Sequence, residues 1–158
     1  MATEIERKFL IVGDFMDQAK ESLNIRQGYL SLDKERTIRI RIQNKKAFLT
    51  IKGKSSASGL SRYEWEKEID LEEGKSLLNL TIGRAIEKTR YLIPLGKHVF
   101  EIDVFSGENL GLVLAEVELQ SETEVFIKPS WLGKEVTGDA RYYNANLILN
   151  PFSKWKEK

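Results

Sequence analysis

The sequence predicts a mainly β protein of the α+β class, in which eight antiparallel strands close into a barrel-shaped tunnel with a charged interior. Three observations support this prediction. Eight runs of residues alternate charged with apolar or aromatic side chains, the period-two pattern of strands with two unlike faces. Short connections join these runs, so neighbouring strands are expected to pair antiparallel. Eight strands suffice to close a barrel, and helices that cover its apolar faces must lie outside, which turns the charged faces inward.

The predicted strands follow one another along almost the whole chain. They span residues 4–12, 24–32, 37–43, 46–53, 62–70, 86–95, 98–107 and 112–120. The segment KGKSSASGLS, residues 52–61, is small, polar and glycine-rich, and it is predicted to form a mobile hairpin loop.

Three segments carry helix signals. Residues 14–22 follow a glycine and begin at an aspartate suited to capping. Residues 71–81 form a second predicted helix, which Gly74 interrupts. The tail is predicted to be partly helical from residue 140 as far as Asn150, because Pro151 disfavours helix at the residue before it. The final SKWKEK is expected to fray.

Composition limits the kinds of protein this can be. The 158 residues predict one domain, residues 1–158, and the 25 basic and 24 acidic side chains leave a net charge of only +1. The chain as a whole therefore has no pull towards nucleic acid or an anionic membrane. The absence of cysteine excludes disulfides, thiolate metal ligands and a cysteine nucleophile. No apolar run approaches the roughly 18 residues of a membrane span, and the start lacks a signal-peptide core, so we expect a cytoplasmic protein.

Charged residues recur at every second position of the predicted strands, so each set lies on one face of its strand. A single such pair usually marks a face exposed to water. Like charges on one face repel unless something lies between them, so their recurrence on many strands favours an interior that holds a ligand. The sets are Glu4, Glu6 and Lys8; Arg39 and Arg41; Lys52; Glu64 and Glu66; Lys88 and Arg90; Glu101 and Asp103; and Glu116 and Glu118.

A charged interior needs water, ion pairs or a charged ligand, because unpaired buried charges are costly. Arginine donates to phosphate through a planar fork, and lysine acts on it as a point charge. Carboxylate pairs suit Mg²⁺ or Mn²⁺, hard ions that prefer oxygen ligands. Both kinds of doublet in one cavity indicate a metal-bound polyphosphate.

Other kinds of site have less support. His98 is the only histidine, so a zinc site is not expected and His98 is predicted to be structural. The chain has no GxxxxGK[ST] loop, and no histidine lies near the serines of the 52–61 loop, which argues against a P-loop and a serine triad. Trp65, Trp131 and Trp155 are expected to pack in the fold. A glycosidase would use the acidic pairs but would leave the basic doublets without a role.

The motifs, taken in order, resemble those of the CYTH superfamily, the triphosphate tunnel metalloenzymes. The family's opening Glu-x-Glu-x-Lys signature stands here as EIERK at residues 4–8. That match alone would be a weak signal, but the blocks together cover nearly the whole chain and are similar to a minimal bacterial member. The other matches are RQGYL at 26–30, TIRIRI at 37–42, LTIKG at 49–53, YEWEKEI at 63–69, EKTRY at 87–91, EIDVFSGENLGLVLAEVEL at 101–119 and WLGKEVTGDARYYNANL at 131–147.

The resemblance implies a tunnel that binds a linear triphosphate and cleaves or rearranges it with a divalent metal, Mg²⁺ or Mn²⁺. The implied metal ligands are Glu4, Glu6, Glu116 and Glu118. The implied triphosphate-binding residues are Lys8, Arg39, Arg41, Lys52, Lys88 and Arg90. Glu64, Glu66 and Asp103 would be wall acids that orient the basic residues, complete a metal shell or position water. The implied catalytic residues are Glu4, Glu6, Lys8, Tyr29, Lys52 and Lys88, of which Tyr29 is either a structural hydroxyl or a group near the reacting phosphate.

The expected reaction is hydrolysis of inorganic triphosphate by attack of water on the terminal phosphorus, without a covalent nucleophile. One metal and the basic residues would neutralise the phosphoryl oxygens, and a second metal would activate the water. A minimal tunnel has little structure with which to grip a base, a ribose or a thiazolium. Alternatives within the family are a class IV adenylate cyclase, a thiamine triphosphatase and a nucleoside triphosphatase; a non-catalytic polyphosphate-binding protein is the alternative of another class. The expected partner is inorganic triphosphate or another triphosphate compound, with no nucleic acid or membrane, and a homodimer is left open.

Overall fold

The computed structural model describes residues 3–156 and is dominated by antiparallel strands. Short 3₁₀ turns lie at Met16–Gln18, Gly107–Asn109, Ala140–Tyr142 and Phe152–Lys154. The strands and α-helices are β1 (Thr3–Ile11), β2 (Glu21–Asp33), β3 (Arg36–Gln43), β4 (Lys46–Ser55), β5 (Ser61–Ile69), α1 (Leu71–Leu78), β6 (Ile86–Leu95), β7 (His98–Phe105), β8 (Val113–Glu118), β9 (Leu132–Glu135) and α2 (Asn144–Leu149).

Eight of these strands form a closed antiparallel barrel, as the sequence predicts. Around the barrel the order is β5-β4-β3-β2-β6-β7-β8-β1, and β1 pairs back onto β5 to close the circle. The neighbours β2 and β6 are far apart in sequence, with Gln27 opposite Ile86 and Glu21 opposite Leu92. The hairpin pattern of the sequence does not reveal this pairing. The pairing joins the group β2–β5 to the group β6–β8 in one wall.

The second edge of β1 pairs first with β5, which closes the barrel, and then with β9. Thr3 and Ile5 pair with β5, and the Glu6 amide then donates to the carbonyl of Leu60 at 3.1 Å. Further along, the short strand β9 pairs with the last residues of β1. The sequence-based prediction missed β9, because four residues are too few to show an alternating pattern.

The predicted helix at residues 14–22 is wrong. Only a 3₁₀ turn forms at Met16–Gln18, and Glu21 already belongs to β2. The amide of Lys20 donates to the carbonyl of Leu92 at 3.0 Å, so the backbone here is already joined to β6. Capping signals without an apolar helical face to bury do not hold a helix against this pairing.

The other two helix predictions are confirmed with shorter bounds. Asp70 caps α1 by accepting from the amides of Glu72 and Glu73, and the helix ends at Leu78. Gly74 does not interrupt α1; it lies against Ala47 and Ile42 on the outer surface of the barrel. In the tail, a 3₁₀ turn and α2 replace a single helix.

The tail after α2 is more ordered than the sequence predicts. Phe152–Lys154 forms a 3₁₀ turn, and Trp155 is buried against Tyr142. The last two residues of SKWKEK lie outside the described part of the chain.

Two apolar clusters position the tunnel. The first lies on the outer faces of β1, β7 and β8, under the segment that carries Phe126 and Trp131. The second joins apolar positions of the inward-facing series, among them Phe105 and Leu114, to Tyr142, Leu147 and Trp155 of the tail. The tail therefore packs over one end of the barrel.

No helix in the described range, 3–156, has the length and apolar character required to cross a membrane.

Candidate active site: a tunnel with a basic and an acidic half

A cavity of about 1050 Å³ runs through the barrel. It is lined by every predicted site residue except Asp103: Glu4, Glu6, Lys8, Tyr29, Arg39, Arg41, Lys52, Glu64, Glu66, Lys88, Arg90, Glu116 and Glu118. Asp103 does not line the cavity, because it is almost completely buried beneath Lys88 and Arg90, which it contacts. The alternation of each strand therefore brings residues from seven strands into one space.

Strand order divides the wall of this tunnel into two halves of opposite charge. The basic half is made by β4, β3, β2 and β6, which are consecutive around the barrel and carry Lys52, Arg39, Arg41, Lys88 and Arg90. The acidic half is made by β7, β8, β1 and β5, which carry Glu101, Glu116, Glu118, Glu4, Glu6, Glu64 and Glu66. The acidic half also carries two basic residues that line the cavity, Lys8 on β1 and Arg62 on β5. A ligand in the lumen therefore meets mostly basic groups on one side and mostly acidic groups on the other.

The two arginines of β3 are buried without a close carboxylate partner. Arg39 donates from Nη2 to the Thr50 hydroxyl at 3.1 Å, and its nearest carboxylate, Glu66, is 3.9 Å away. Its Nε has no hydrogen-bond partner among the residues that the structure describes. Arg41 donates from Nε to the side-chain oxygen Oε1 of Gln27 at 2.9 Å. Burial, assisted by repulsion from Arg39 and Arg90, lowers the pKa of Arg41 to about 9. These donors are arranged for an anion that the protein does not itself supply.

The cations of β6 are held by the buried carboxylate of Asp103. Arg90 binds it through two hydrogen bonds of 2.7 and 2.9 Å, and Lys88 Nζ lies 2.7 Å from Oδ2. Burial opposes ionisation of Asp103, but Arg90 and Lys88 outweigh it and hold the pKa of that carboxyl well below its usual value. Burial, with added repulsion from Arg90 and Arg41 and opposed by Asp103, lowers the pKa of Lys88 to about 7. Asp103 therefore lies beneath the two cations and fixes their positions.

Glu101 also belongs to this site, although it was not among the predicted site residues. Its carboxylate lies 3.2 Å from Arg90 Nη1 and lines the tunnel. The alternating pattern placed Glu101 on the inward face beside Asp103, so the signal for it was present in the sequence.

The two carboxylates of β1 have different neighbours: Glu4 has a basic partner, whereas Glu6 lies among other carboxylates. Glu4 accepts from Lys52 Nζ at 3.0 Å, and the same ammonium lies 3.4 Å from Glu64. Burial raises the pKa of Glu6 well above its usual value, and repulsion from Glu116 and Glu4 adds to the effect.

Glu116 is the ionised member of the Glu6–Glu116 pair. Burial opposes its charge, but Lys8 at 3.6 Å and Arg90 lower the pKa of Glu116 to about 2, and Glu6 lies within hydrogen-bonding reach. Glu118, which stands opposite Glu6 on β8, has a pKa raised by burial and by Glu4 and Glu101. The acidic half is thus deficient in positive charge.

These carboxylates fit a divalent cation by their chemistry. Hard ions such as Mg²⁺ take oxygen ligands, and a bound cation would oppose the burial and the repulsion that raise the pKa of Glu6. Within residues 3–156, no three acidic or histidine side chains lie close enough to form a ready-made metal site. The carboxylates that could hold a cation are Glu4 and Glu6 of β1 and Glu116 and Glu118 of β8, all of which line the cavity.

The tail contributes side chains and backbone that the sequence analysis did not select. The Asn144 Oδ1 atom accepts from Lys88 Nζ at 2.8 Å and from Gln27 Nε2 at 3.1 Å. Lys8 Nζ donates to the Tyr142 carbonyl at 3.3 Å. No short motif marks these contacts, because the tail is far in sequence from the strands it meets.

Tyr29 and His98 have protein partners. The Tyr29 hydroxyl accepts from Gln27 Nε2 at 3.1 Å, and the ring packs in the cluster under the tail. His98 is buried, with Nε2 at 2.6 Å from the Glu124 carboxylate, as expected of a structural histidine. It lies beside a second cavity of about 480 Å³, which shares Glu101 and Glu118 with the tunnel.

Comparison with known proteins agrees with this geometry. The CYTH domain model matches residues 2–148. An inorganic triphosphatase of Acetivibrio thermocellus is 45% identical over 158 residues, covering 99% of this chain and 100% of the relative. An inorganic triphosphatase of Nitrosomonas europaea is 45% identical over 153 residues, covering 94% of this chain and 98% of the relative.

Solved structures share the fold. The crystal structure of the inorganic triphosphatase NE1496 superposes with a TM-score of 0.66 at 40% identity, covering 92% of this chain and 97% of that one. The PH1012 protein from Pyrococcus horikoshii has a TM-score of 0.60 at 20% identity, covering 76% of this chain and 80% of that one, and it shows likeness of fold alone. With a family match across nearly its whole length and a closed barrel lined by the charges that the family signature contributes, this chain belongs to the CYTH domain family.

Proposed function

We propose that this protein is a divalent-metal-dependent hydrolase of inorganic triphosphate. The observation that carries the proposal is the division of one tunnel into a basic and an acidic half. Among the described residues, Arg39 and Arg41 of the basic half are buried without a close carboxylate, and in the acidic half burial and repulsion from Glu116 and Glu4 raise the pKa of Glu6. A metal-bound linear polyphosphate carries both missing charges. The two relatives named inorganic triphosphatase, each 45% identical over nearly the whole chain, support the same substrate.

The metal ligands of the proposal are Glu4, Glu6, Glu116 and Glu118, and the metal is Mg²⁺ or Mn²⁺. When bound, the cation neutralises phosphoryl oxygens and lowers the pKa of a coordinated water. Glu4 is prepared for this role by Lys52, which holds its carboxylate at 3.0 Å and is free to turn to phosphate once a cation takes its place.

The basic residues bind and orient the phosphate chain. Arg39, Arg41 and Arg90 present guanidinium groups from adjacent parts of the wall, and their positions are fixed by Thr50, Gln27 and Asp103. Groups fixed in this way need no reorganisation when negative charge develops on the leaving oxygen, which is the main electrostatic contribution to phosphoryl transfer. Burial of these arginines strengthens the interactions, because the effective dielectric constant in the interior is lower than in bulk water.

The inorganic substrate is favoured over nucleotides by what the tunnel offers. Many of its lining residues are charged, and of the two aromatic ones Tyr29 is packed under the tail and Tyr143 has its ring centroid 5.5 Å from Lys8 Nζ. No described aromatic pair stands free in the cavity to hold a base. A cyclase or a thiamine triphosphatase would need such contacts.

Phosphate release from inorganic triphosphate, ATP, thiamine triphosphate and pyrophosphate tests the proposal, with Mg²⁺ or Mn²⁺ and with EDTA. We expect metal-dependent release from inorganic triphosphate that exceeds release from the organic substrates and is lost in Glu4→Ala. Formation of cyclic AMP and pyrophosphate from ATP would instead identify a cyclase. Tight binding of triphosphate without turnover would identify a polyphosphate-binding protein.

A further inference from the structure

Asn144 joins the tail to the basic half of the tunnel. It is the first residue of α2, lines the cavity, and reaches two strands with one side chain. Its Oδ1 accepts from Lys88 on β6 and from Gln27 on β2. Gln27 in turn accepts from Arg41 on β3, so a hydrogen-bonded chain runs from Lys88 through Asn144 and Gln27 to Arg41.

The orientation of the Asn144 amide follows from its partners. Arg41 only donates, so the Gln27 atom that it contacts is Oε1, and Gln27 Nε2 is left to donate to Asn144. The Asn144 atom that accepts from Gln27 Nε2 is therefore the carbonyl oxygen, and the same oxygen lies 2.8 Å from Lys88 Nζ, whether Lys88 is charged or neutral. Asn144 Nδ2 therefore carries two hydrogens away from these partners, and within residues 3–156 no group accepts a hydrogen bond from it.

We propose that Asn144 is a substrate-binding residue, whose Oδ1 fixes Lys88 and Gln27 while its Nδ2 donates to a phosphoryl oxygen of the bound triphosphate. The inference rests on the proposed function. It adds an uncharged donor from the tail to the basic side chains that the strands contribute. An uncharged amide can approach Lys88 and Arg41 without adding repulsion to a half of the tunnel that already carries several buried positive charges.

The isosteric variant Asn144→Asp separates substrate binding from packing. It keeps the shape of the side chain and the acceptor for Lys88, but it removes the Nδ2 donor and places a negative charge where phosphate would lie. We expect its Kd for inorganic triphosphate, measured by calorimetry in EDTA, to rise about tenfold to a hundredfold. We expect its Tm to be unchanged or higher, because the new carboxylate pairs with Lys88. A role in packing alone would leave the affinity unaltered.

Two more variants complete the experiment. Asn144→Ala removes both the acceptor and the donor, and we expect a higher KM for inorganic triphosphate together with a lower kcat. Asn150→Ala is the matched control, since Asn150 lies exposed in the same tail and outside the tunnel lining. We expect it to match the wild type in Kd, KM and kcat. Should Asn144→Ala fail to fold, the calorimetry on Asn144→Asp still decides.

Each result bears on a separate claim. Wild-type affinity in Asn144→Asp would overturn the role of Asn144, as would a lower Tm with unchanged affinity. If the wild type binds triphosphate in EDTA but releases no phosphate with metal, the hydrolase proposal fails, and the binding comparison still tests Asn144. A wild type that binds no triphosphate overturns both.

Discussion

At the scale of single residues, the tunnel is distinguished by buried charges that have no opposite charge nearby. Arg39 has a buried Nε without a partner among the described residues, and its nearest carboxylate lies at 3.9 Å. Arg90, by contrast, is paired with two carboxylates, those of Asp103 and Glu101. A buried, unpaired charge such as that of Arg39 lowers the stability of the empty protein, and a bound anion would compensate this cost by pairing with it.

Removing Arg39 should therefore weaken binding without destabilising the empty protein. We expect Arg39→Ala to raise the Kd for inorganic triphosphate about tenfold to a hundredfold, the equivalent of a charged hydrogen bond worth about 1.5–3 kcal/mol. The free energy of unfolding without ligand should be unchanged or higher, because the variant relieves repulsion with Arg41. Calorimetry and urea denaturation measure the two quantities.

Arg26→Ala is the control for Arg39→Ala. Arg26 lies on β2 but points outward, where it is half-exposed and pairs with Glu87. Its removal should leave triphosphate affinity at the wild-type value. Unchanged affinity in both Arg39→Ala and Arg41→Ala would contradict a phosphate role for the basic half.

The lowered pKa of Lys88 predicts that triphosphate binding takes up a proton. With its pKa at about 7, Lys88 is mostly neutral at about pH 8 in the empty protein. A bound polyanion stabilises the ammonium form and raises this pKa, so a proton must be absorbed from solution. Below about pH 6 the side chain is already charged, and the uptake from this group should vanish.

Calorimetry at pH 8 in two buffers with different ionisation enthalpies measures this uptake. Lys88→Met is the comparison, because it keeps the length and packing of the side chain but has no proton to gain. We expect the variant to absorb fewer protons per triphosphate than the wild type. Equal uptake in both proteins would mean that Lys88 is already charged at pH 8.

At the scale of elements, α1 shows how a helix is held against the outside of the barrel. A Cβ built on Gly74 would lie 2.4 Å from the Cβ of Ala47 and 3.1 Å from Ile42 Cδ1. The glycine thus allows close approach of α1 to β3 and β4, and the apparent interruption of the helix in the sequence is a packing requirement.

Gly74→Ala should lower the free energy of unfolding, although alanine is the better helix former. The gain in helix propensity is about 1 kcal/mol, whereas overpacking against Ala47 costs about 1–3 kcal/mol. Ser76→Ala, at an exposed position of the same helix, gives the propensity gain without the clash and should be neutral or slightly stabilising. Urea denaturation of both variants decides, and a Gly74→Ala protein more stable than the wild type would refute this packing role.

At the scale of the whole molecule, like charges repel one another in each half of the tunnel, positive charges in the basic half and negative charges in the acidic half. Anions relieve the basic half and cations relieve the acidic half, so ligands should raise the stability of the entire barrel. Because every strand contributes to the wall, this stabilisation is spread over the cooperative unit.

Inorganic triphosphate should accordingly raise the Tm even in EDTA. At a hundredfold excess over Kd the gain is about 2.7 kcal/mol, or roughly 5–10 °C for a chain of this size. Sodium chloride at equal ionic strength should have a much smaller effect, since it screens without bridging the fixed donors. Differential scanning calorimetry provides the measurement. A shift no larger with triphosphate than with sodium chloride would mean that the tunnel has no specific anion site.

The sequence by itself determined the strands and the direction in which their charges point. Alternation in segments such as TIRIRIQ fixes which residues share a face, because side chains of a strand alternate with period two. The bounds of β6 are those that the pattern predicts, and all predicted site residues but Asp103 line the tunnel. The roles assigned to them stay predictions until the variants are measured.

Tertiary structure alone decided which charges meet. The pairing of β2 with β6 places Lys88 and Arg90 beside the arginines of β3 and so makes one continuous basic half, a contact between segments some sixty residues apart. The closed fold also buries Asp103 beneath Lys88 and Arg90 and brings Asn144 from the tail to Lys88. Local patterns depend on neighbours one or two residues away, whereas these contacts depend on how the sheet closes. For that reason the sequence indicates a charged tunnel, and only the closed barrel shows that its charges are separated by sign.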